Sequence, residues 1–187
     1  MRLLAACAVA VALVTNIQAE EVKSGLQPGQ KIGAFFVVKC AGANEDGVKV
    51  GDELCYRCRY GQSPMVMVFT RNADESVASL SQRLNELVEK NTESKLKAFV
   101  NIMGENREQL EAQAKKFGEA NKLTQVPVVV PTEFENGPAN YGITSKADVT
   151  VLICNKSSVV ANYAFGKGEL NKETLQKVLA DVAKIVK

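Results

Sequence analysis

The stretch Met65-Val66-Met67-Val68-Phe69 is an apolar run without a polar interruption, and the fold prediction rests on it. A strand that is apolar at every position is typical of the centre of a sheet covered on both faces. Asn72 follows, with Glu75 three residues later, which is the spacing of a capping box at a helix start. Apolar residues then recur at helical spacing. We therefore predict a central strand at 65–69 and an amphipathic helix over 73–90.

The same strand–helix unit recurs along the chain. Residues 106–121 carry apolar side chains on one helical face, and Asn171 is placed to cap a closing helix. Residues 41–51 are polar and contain glycine, which indicates a loop or hairpin. Further strands are predicted at 34–38, 98–103, 126–130, 149–154 and 159–165, the last two as an antiparallel hairpin. This order predicts an α/β domain whose central mixed β-sheet is flanked by helices.

Composition limits the chemistry. The chain has 187 residues, which suits one domain, and its 23 basic and 21 acidic residues leave a formal charge of only +2. That balance argues against a nucleic-acid partner bound through a broad basic surface. The chain contains no histidine, which excludes Ser-His-Asp and Cys-His nucleophile systems and any histidine-ligated metal. Five cysteines remain as the reactive groups.

The first residues have the pattern of a secretory signal peptide. Arg2 precedes an apolar run from Leu3 to Val14, which is too short for a membrane-spanning helix of about 20 residues. We predict cleavage after Ala19, so that residues 1–19 are the signal peptide and residues 20–187 the mature domain. The predicted protein is exported, to a periplasm or to the outside, without a stable membrane anchor.

Four cysteines remain after that cleavage: Cys40, Cys55, Cys58 and Cys154. An oxidising compartment favours disulfides over free thiols, and an even count permits up to two bridges. Cys154 ends an apolar run and is predicted to be a small buried side chain.

Short motifs give the chain a resemblance to known proteins. Residues 26–33, the run Pro127-Val128-Val129-Val130, the motif Tyr141-Gly142-Ile143 and the hairpin at 149–165 with Gly166 follow one another in the order of the thioredoxin-like fold. Their layout resembles the peroxiredoxin branch of that superfamily. The segment Cys55-Tyr56-Arg57-Cys58-Arg59-Tyr60-Gly61 resembles one in secreted thioredoxin-like proteins of planctomycete-type bacteria.

The resemblance also implies where a redox site is expected. Thioredoxins and peroxiredoxins carry their reactive cysteine at the start of the helix that follows the first central strand. Here that place is Thr70-Arg71-Asn72-Ala73-Asp74, which has no cysteine. The position of the thioredoxin cis-proline is occupied by Val149. A conventional thioredoxin or peroxidase site is therefore not expected, although Arg71 is placed to bind an anion there.

The Cys55-x-x-Cys58 pair precedes the central strand, in a segment predicted as a loop over 52–62. Arg57 and Arg59 flank Cys58, and their charges favour a thiolate and so favour exchange. Tyr56 is predicted to shield the pair or to bind a partner's extended chain. Cys40 is either the resolving thiol for this pair or a free thiol at a strand end.

Three interpretations of the pair follow from the sequence. The first is thiol–disulfide exchange with a protein thiol or disulfide partner, with no cofactor and no metal, at catalytic residues Cys55 and Cys58. Arg57, Arg59, Tyr56 and Cys40 support them in this interpretation. The second is a non-catalytic binding or scaffold protein in which the pair is a permanent structural disulfide. The third is a zinc site that gathers all four cysteines.

Overall fold

A computed structural model describes residues 22–186, so the predicted signal peptide at 1–19 lies outside the described residues. In this part of the chain no helix is long and apolar enough to cross a membrane. The strands are β1 (Val37–Ala41), β2 (Glu53–Leu54), β3 (Met65–Thr70), β4 (Lys97–Ile102), β5 (Val128–Pro131), β6 (Val149–Asn155) and β7 (Ser158–Phe165). The helices are α1 (Tyr56–Tyr60), α2 (Glu75–Lys90), α3 (Arg107–Ala120) and α4 (Lys172–Ile185), with a 3-10 turn at Ala139–Tyr141.

The seven strands form one mixed sheet in the order β2-β1-β5-β4-β3-β6-β7. β3 pairs in parallel with β4, and β4 with β5, because each of these connections passes through a helix. The other neighbours are antiparallel, including the predicted β6–β7 hairpin. The sequence prediction of a mixed sheet flanked by helices is confirmed.

The apolar run of β3 is buried at every position because its alternate side chains serve two core layers. Val66 and Val68 contribute to the layer packed under α2, α3 and α4. Met65, Met67 and Phe69 contribute to the opposite layer, which the lead-in residues, α1 and the 3-10 turn cover. Phe99 of β4 lies in that second layer, within ring contact of Tyr56 at 5.8 Å between centroids. Helix α1, and with it the cysteine pair, therefore lies on the face of the sheet that this second layer covers.

Two predicted boundaries are wrong, for local reasons. α2 begins at Glu75 with Asp74 as its N-cap, whose Oδ1 accepts the N–H groups of Ser76 at 2.9 Å and Val77 at 3.1 Å. Asn72 does not cap the helix, because the Thr70 hydroxyl bonds both its N–H and its carbonyl in a local turn.

The first strand begins at Val37 and not at residue 34. Its ladder with β5 starts where Val37 pairs with Pro131, a residue that has no N–H to donate. Phe36 lies just outside the ladder, and its carbonyl accepts the N–H of Thr132 at 3.0 Å. At its other end the strand extends further than predicted, through Lys39 and Cys40 to Ala41.

Candidate redox site

The Cys55–Cys58 disulfide lies at the first turn of the short helix α1. Cys55 is the N-cap, and its Sγ accepts the N–H of Cys58 at 3.0 Å. The two Sγ atoms are bonded at 2.03 Å, with the Cα atoms 5.2 Å apart. Gly61 ends the helix at a φ of 60°, where its N–H reaches the carbonyls of Arg57 and Cys58. The sequence indicated the pair, but it placed the pair in a loop and not on a helix.

The two sulfur-bearing residues differ in exposure. Cys55 is 8% exposed and packs against the body of the protein, whereas Cys58 is on the exposed side of α1. An attacking thiolate must approach the disulfide from solvent, and Cys58 is the exposed residue of the pair. A partner chain in solvent therefore has readier access to Cys58 than to Cys55.

Arg57 and Arg59, the neighbours of Cys58 in the chain, both donate to neutral acceptors. The Nε of Arg57 donates to the carbonyl of Ile32 at 3.2 Å, and Nη2 of Arg59 donates to the carbonyl of Asp46 at 2.5 Å. Neither arginine belongs to any of the ion pairs found within residues 22–186. Both guanidinium groups are therefore held by backbone carbonyls and not by carboxylates in this part of the chain.

Tyr56 anchors α1 from beneath. Its ring is 1% exposed and lies 5.3 Å from the ring of Tyr60, and its hydroxyl donates to Oδ2 of Asp46 at 2.6 Å. Burial, with the added effect of that carboxylate, raises the pKa of Tyr56 far above its ordinary value. Of the two roles predicted for this residue, shielding the pair agrees with its position, while its burial keeps it from contact with a partner chain.

A buried lysine, Lys39, binds the same Asp46 carboxylate that accepts the Tyr56 hydroxyl. Lys39 is 2% exposed, and its Nζ donates to the carbonyl of Ala43 at 2.9 Å, to Oδ1 of Asp46 at 2.7 Å and to the carbonyl of Val48 at 2.8 Å. Each of the three ammonium protons thus has an acceptor. Asp46 joins Lys39 to Tyr56, so strand β1, the loop at 42–52 and helix α1 are held together by one carboxylate.

The pKa of Asp46 reflects these bonds. Burial alone would raise it, but the hydrogen bonds from Lys39, Tyr56 and the Val48 N–H outweigh that effect and hold the pKa of Asp46 below its usual range. The carboxylate is therefore charged at neutral pH, as a partner for a buried ammonium must be.

The loop that carries Asp46 is turned into place at Gly42. Its φ is 75°, and a Cβ there would lie 2.1 Å from the carbonyl oxygen of Val126. No residue with a side chain fits that approach. The backbone therefore folds back against the β5 side of the sheet before Asp46 reaches Lys39.

Cys40 and Cys154 are free thiols on opposite faces of the sheet. Cys40 lies in the layer under α3, and Cys154 in the layer that holds Tyr56. Burial raises the pKa of each to about 12, in Cys40 with a further contribution from the Glu111 carboxylate. Within residues 22–186 no three cysteine or acidic side chains converge as metal ligands. The zinc interpretation therefore lacks its ligand set.

The disulfide lies at the end of the sheet opposite the place that the family resemblance implies. That place is the end of β3, where Thr70 pairs with Val149. Lys97 is the first residue of β4, and its Nζ is 5.9 Å from the ring centroid of Tyr60 on α1. The helix that carries the cysteine pair therefore lies beside the start of β4. The six residues of β3 separate the two ends, a distance of about 20 Å at ~3.3 Å per residue.

Arg71 occupies the place where the family resemblance implies a reactive cysteine. Its Nη1 donates to the carbonyl of Glu135 at 2.6 Å. Its Nε and Nη2 are sealed from solvent and have no hydrogen-bond partner among residues 22–186. Glu135, whose carbonyl binds Arg71, is among the residues at 132–139 that, with Gly142 and Ile143, border a cavity of about 490 Å³. The anion-binding role that the sequence suggested for Arg71 stays a prediction.

Sequence reasoning missed Lys39 and Asp46. The available signal was a lysine inside an apolar run, at Phe35-Phe36-Val37-Val38-Lys39-Cys40. A charged residue at a core position needs an ionic partner, and the polar loop that follows is the nearest source of one.

The Lys39–Asp46 pair gives a prediction about stability. Asp46→Asn leaves a buried ammonium without its counter-charge and should lower the unfolding free energy by about 3 kcal/mol. Lys39→Met removes the buried charge itself and should cost less. Urea unfolding of both variants at neutral pH measures this order, and an Asp46→Asn variant as stable as the parent would contradict it.

The same pair predicts a pH dependence. Since the folded pKa of Asp46 is depressed, its contribution is complete above the unfolded value of about 3.9 and is lost as pH falls through the folded value. Unfolding free energies measured from about pH 6 to about pH 2 should therefore fall less steeply in Asp46→Asn than in the parent. Parallel curves would show that the carboxylate has no such role.

The comparisons with known proteins concern structure alone. No protein-family model matches the sequence, and no curated protein is significantly similar to it. A candidate thiol:disulfide interchange protein DsbE from Chlorobium tepidum superposes with a TM-score of 0.55 at 14% identity, over 84% of this chain and 99% of that one. A candidate protein disulfide isomerase from Bacteroides thetaiotaomicron gives 0.60 at 11%, over 87% and 92%.

A peroxiredoxin is also among the neighbours. Peroxiredoxin Q of Xanthomonas campestris superposes with a TM-score of 0.54 at 11% identity, over 81% of this chain and 91% of that one. At this level of identity the likeness shows the fold, including the layout that the sequence motifs predicted. The chain has the thioredoxin-like fold.

Proposed function

We propose that this protein is a thiol–disulfide oxidoreductase that acts through Cys55 and Cys58. The observation that carries the proposal is the asymmetry of the pair. Cys58 is exposed and has an arginine on each side of it in the chain, whereas its bonded partner Cys55 is buried. Neighbours of the same fold that are named as a thiol:disulfide interchange protein and as a protein disulfide isomerase support it.

The exchange has two steps when the protein is the oxidant. A thiolate of a dithiol partner attacks Sγ of Cys58, so a partner–Cys58 bond forms and the Cys55–Cys58 bond breaks. Cys55 leaves as a thiolate that still accepts the N–H of Cys58, a contact present in the folded protein at 3.0 Å. This hydrogen bond favours its departure, because a stabilised thiolate is the better leaving group.

The second step releases the partner. Its other thiolate attacks its own sulfur in the mixed disulfide, and Cys58 leaves as a thiolate beside Arg57 and Arg59. The partner gains a disulfide and gives up two electrons, while the protein becomes a dithiol that takes up the two protons from the partner's thiols. The reverse sequence reduces a partner disulfide, with Cys58 as the attacking thiolate.

Cys40 has no part in this proposal. It faces α3 on the opposite side of the sheet from Tyr56, and its raised pKa keeps it protonated at neutral pH. We assign it a packing role. Tyr56 and Asp46 act as positioning residues that hold α1 against the sheet.

The competing function is a binding or scaffold protein whose disulfide is a permanent staple. The observation that favours it is the position of the pair, away from the end of β3, where the sequence has no cysteine at 70–74. In that case the disulfide would only restrict the segment around α1.

Reactivity of the single thiols tests the assignment of Cys58 as the cysteine that meets a partner. Cys55→Ser leaves Cys58 exposed between two arginines, and Cys58→Ser leaves Cys55 buried. With dithiobis(nitrobenzoate) at neutral pH, Cys58 should react at least about tenfold faster than Cys55. Cys40 and Cys154 are present in both variants as internal controls and should react only after unfolding. Equal rates for Cys58 and Cys55, or a faster Cys55, would overturn the assignment.

We also propose that the protein is exported by cleavage after Ala19. The basic start, the short apolar run and the small residue at its end support this, as does a disulfide in the mature domain. The mature chain should begin at Glu20, which intact-mass measurement of the protein from its secreting cell would establish. A chain that retains Met1 would contradict it.

A further inference from the structure

The cavity of about 490 Å³ lies at the carboxyl ends of the parallel strands β3, β4 and β5. The residues that border it begin directly after β5. Gly104, just after β4, donates its N–H to the carbonyl of Phe134 at 2.9 Å, and Arg71, just after β3, donates to that of Glu135 at 2.6 Å. Ligands of open α/β sheets bind outside the carboxyl ends of the strands, so the cavity is at the edge where a small molecule is expected.

The border of the cavity keeps its shape through hydrogen bonds of its own. Oε2 of Glu133 accepts the N–H of Ala139 at 2.9 Å, which joins two parts of the border directly. The carbonyl of Gly142 accepts the N–H of Gly25, from the segment before β1, at 3.0 Å. A cavity that is already formed spares a ligand the cost of ordering the loop around it.

The border combines carboxylates with apolar side chains. Glu133 and Glu135 are its charged residues, and neither belongs to an ion pair within residues 22–186. Phe134, Pro138 and Ile143 supply apolar surface. Because Oε2 of Glu133 is already bonded within the loop, Oε1 is the oxygen that remains for a ligand.

Arg71 does not cancel the charge of these carboxylates. Its guanidinium donates to the backbone carbonyl of Glu135, and Arg71 is not among the residues that border the cavity. One cation near two carboxylates leaves a net negative charge around the cavity. A cationic ligand is therefore attracted and an anionic ligand is repelled.

We propose that this cavity binds a small organic cation, in which an ammonium group is carried on an apolar body. The ammonium donates to the carboxylate of Glu133, and the apolar body packs against Phe134 and Ile143. A volume of about 490 Å³ is within the range of small-molecule sites, where a few polar groups among apolar walls fix the orientation of the ligand. The site is separate from the disulfide, which lies at the other end of β3.

Three ligands of similar shape and different charge test the proposal: phenethylammonium, phenethyl alcohol and phenylacetate. Titration of the isotope-labelled protein, followed by the amide resonances of Gly137, Ala139 and Gly142, measures the affinity for each. Phenethylammonium should shift these resonances and bind at least about tenfold more tightly than the alcohol, because only the ammonium makes a charge-assisted hydrogen bond to a carboxylate. Phenylacetate should not bind.

Two variants locate the ammonium group. Glu133→Gln removes the charge but retains an oxygen that can accept the Ala139 N–H. It should weaken the binding of phenethylammonium at least about tenfold and leave the affinity for phenethyl alcohol unchanged. Glu119→Gln is the same charge change at an exposed position near the end of α3 that leads toward the start of β5, and it should change neither affinity. Amide resonances outside the loop that match those of the parent show that each variant is folded.

The outcomes that overturn the proposal are specific. Phenethylammonium would then produce no shift up to about 10 mM, or would bind no more tightly than the alcohol. Unchanged affinity in Glu133→Gln would have the same meaning. Tighter binding of phenylacetate would also overturn it, and would support the anion-binding role predicted for Arg71. None of these results bears on the exchange function, which is measured at Cys58.

Discussion

The interaction on which the site depends is the ion pair between Lys39 and Asp46. A buried ammonium is tolerated in a protein core only when its charge and all its protons are matched, and Lys39 meets both conditions within one loop. The carboxylate that neutralises it also accepts the hydroxyl of Tyr56. The need to pair this one lysine thus determines the path of the loop at 42–52 and the position of helix α1 on the sheet.

The position of α1 determines which of Cys55 and Cys58 is exposed to solvent. With Tyr56 fixed beneath α1, Cys55 is turned inward at the N-cap and Cys58 outward between Arg57 and Arg59. The thioredoxin-like fold supplies the sheet, but the site is built at the end of β3 opposite the one implied by the family resemblance. The cysteine pair therefore depends on contacts particular to this chain, above all Lys39, Asp46 and Gly42.

The parts of the fold that follow from periodicity were predictable. A strand that is buried on both faces is apolar at every position, as at Met65–Phe69. A helix that is buried on one face carries apolar residues at helical spacing, as at 106–121. The N-cap at Asp74 was missed because Asn72 has the same local signature and only the Thr70 hydroxyl decides between them. The cysteine pair was found by its spacing, but its asymmetry was not, since exposure depends on the distant Lys39–Asp46 pair.

The reduction potential of the Cys55–Cys58 disulfide tests the central claim most directly. Equilibration of the intact folded protein with glutathione buffers, and with thioredoxin as a reference couple, measures it. An exchange disulfide with an exposed sulfur and neighbouring cations should have a potential above about −300 mV. A value below about −300 mV would identify a permanent structural bond and would contradict the proposed exchange function.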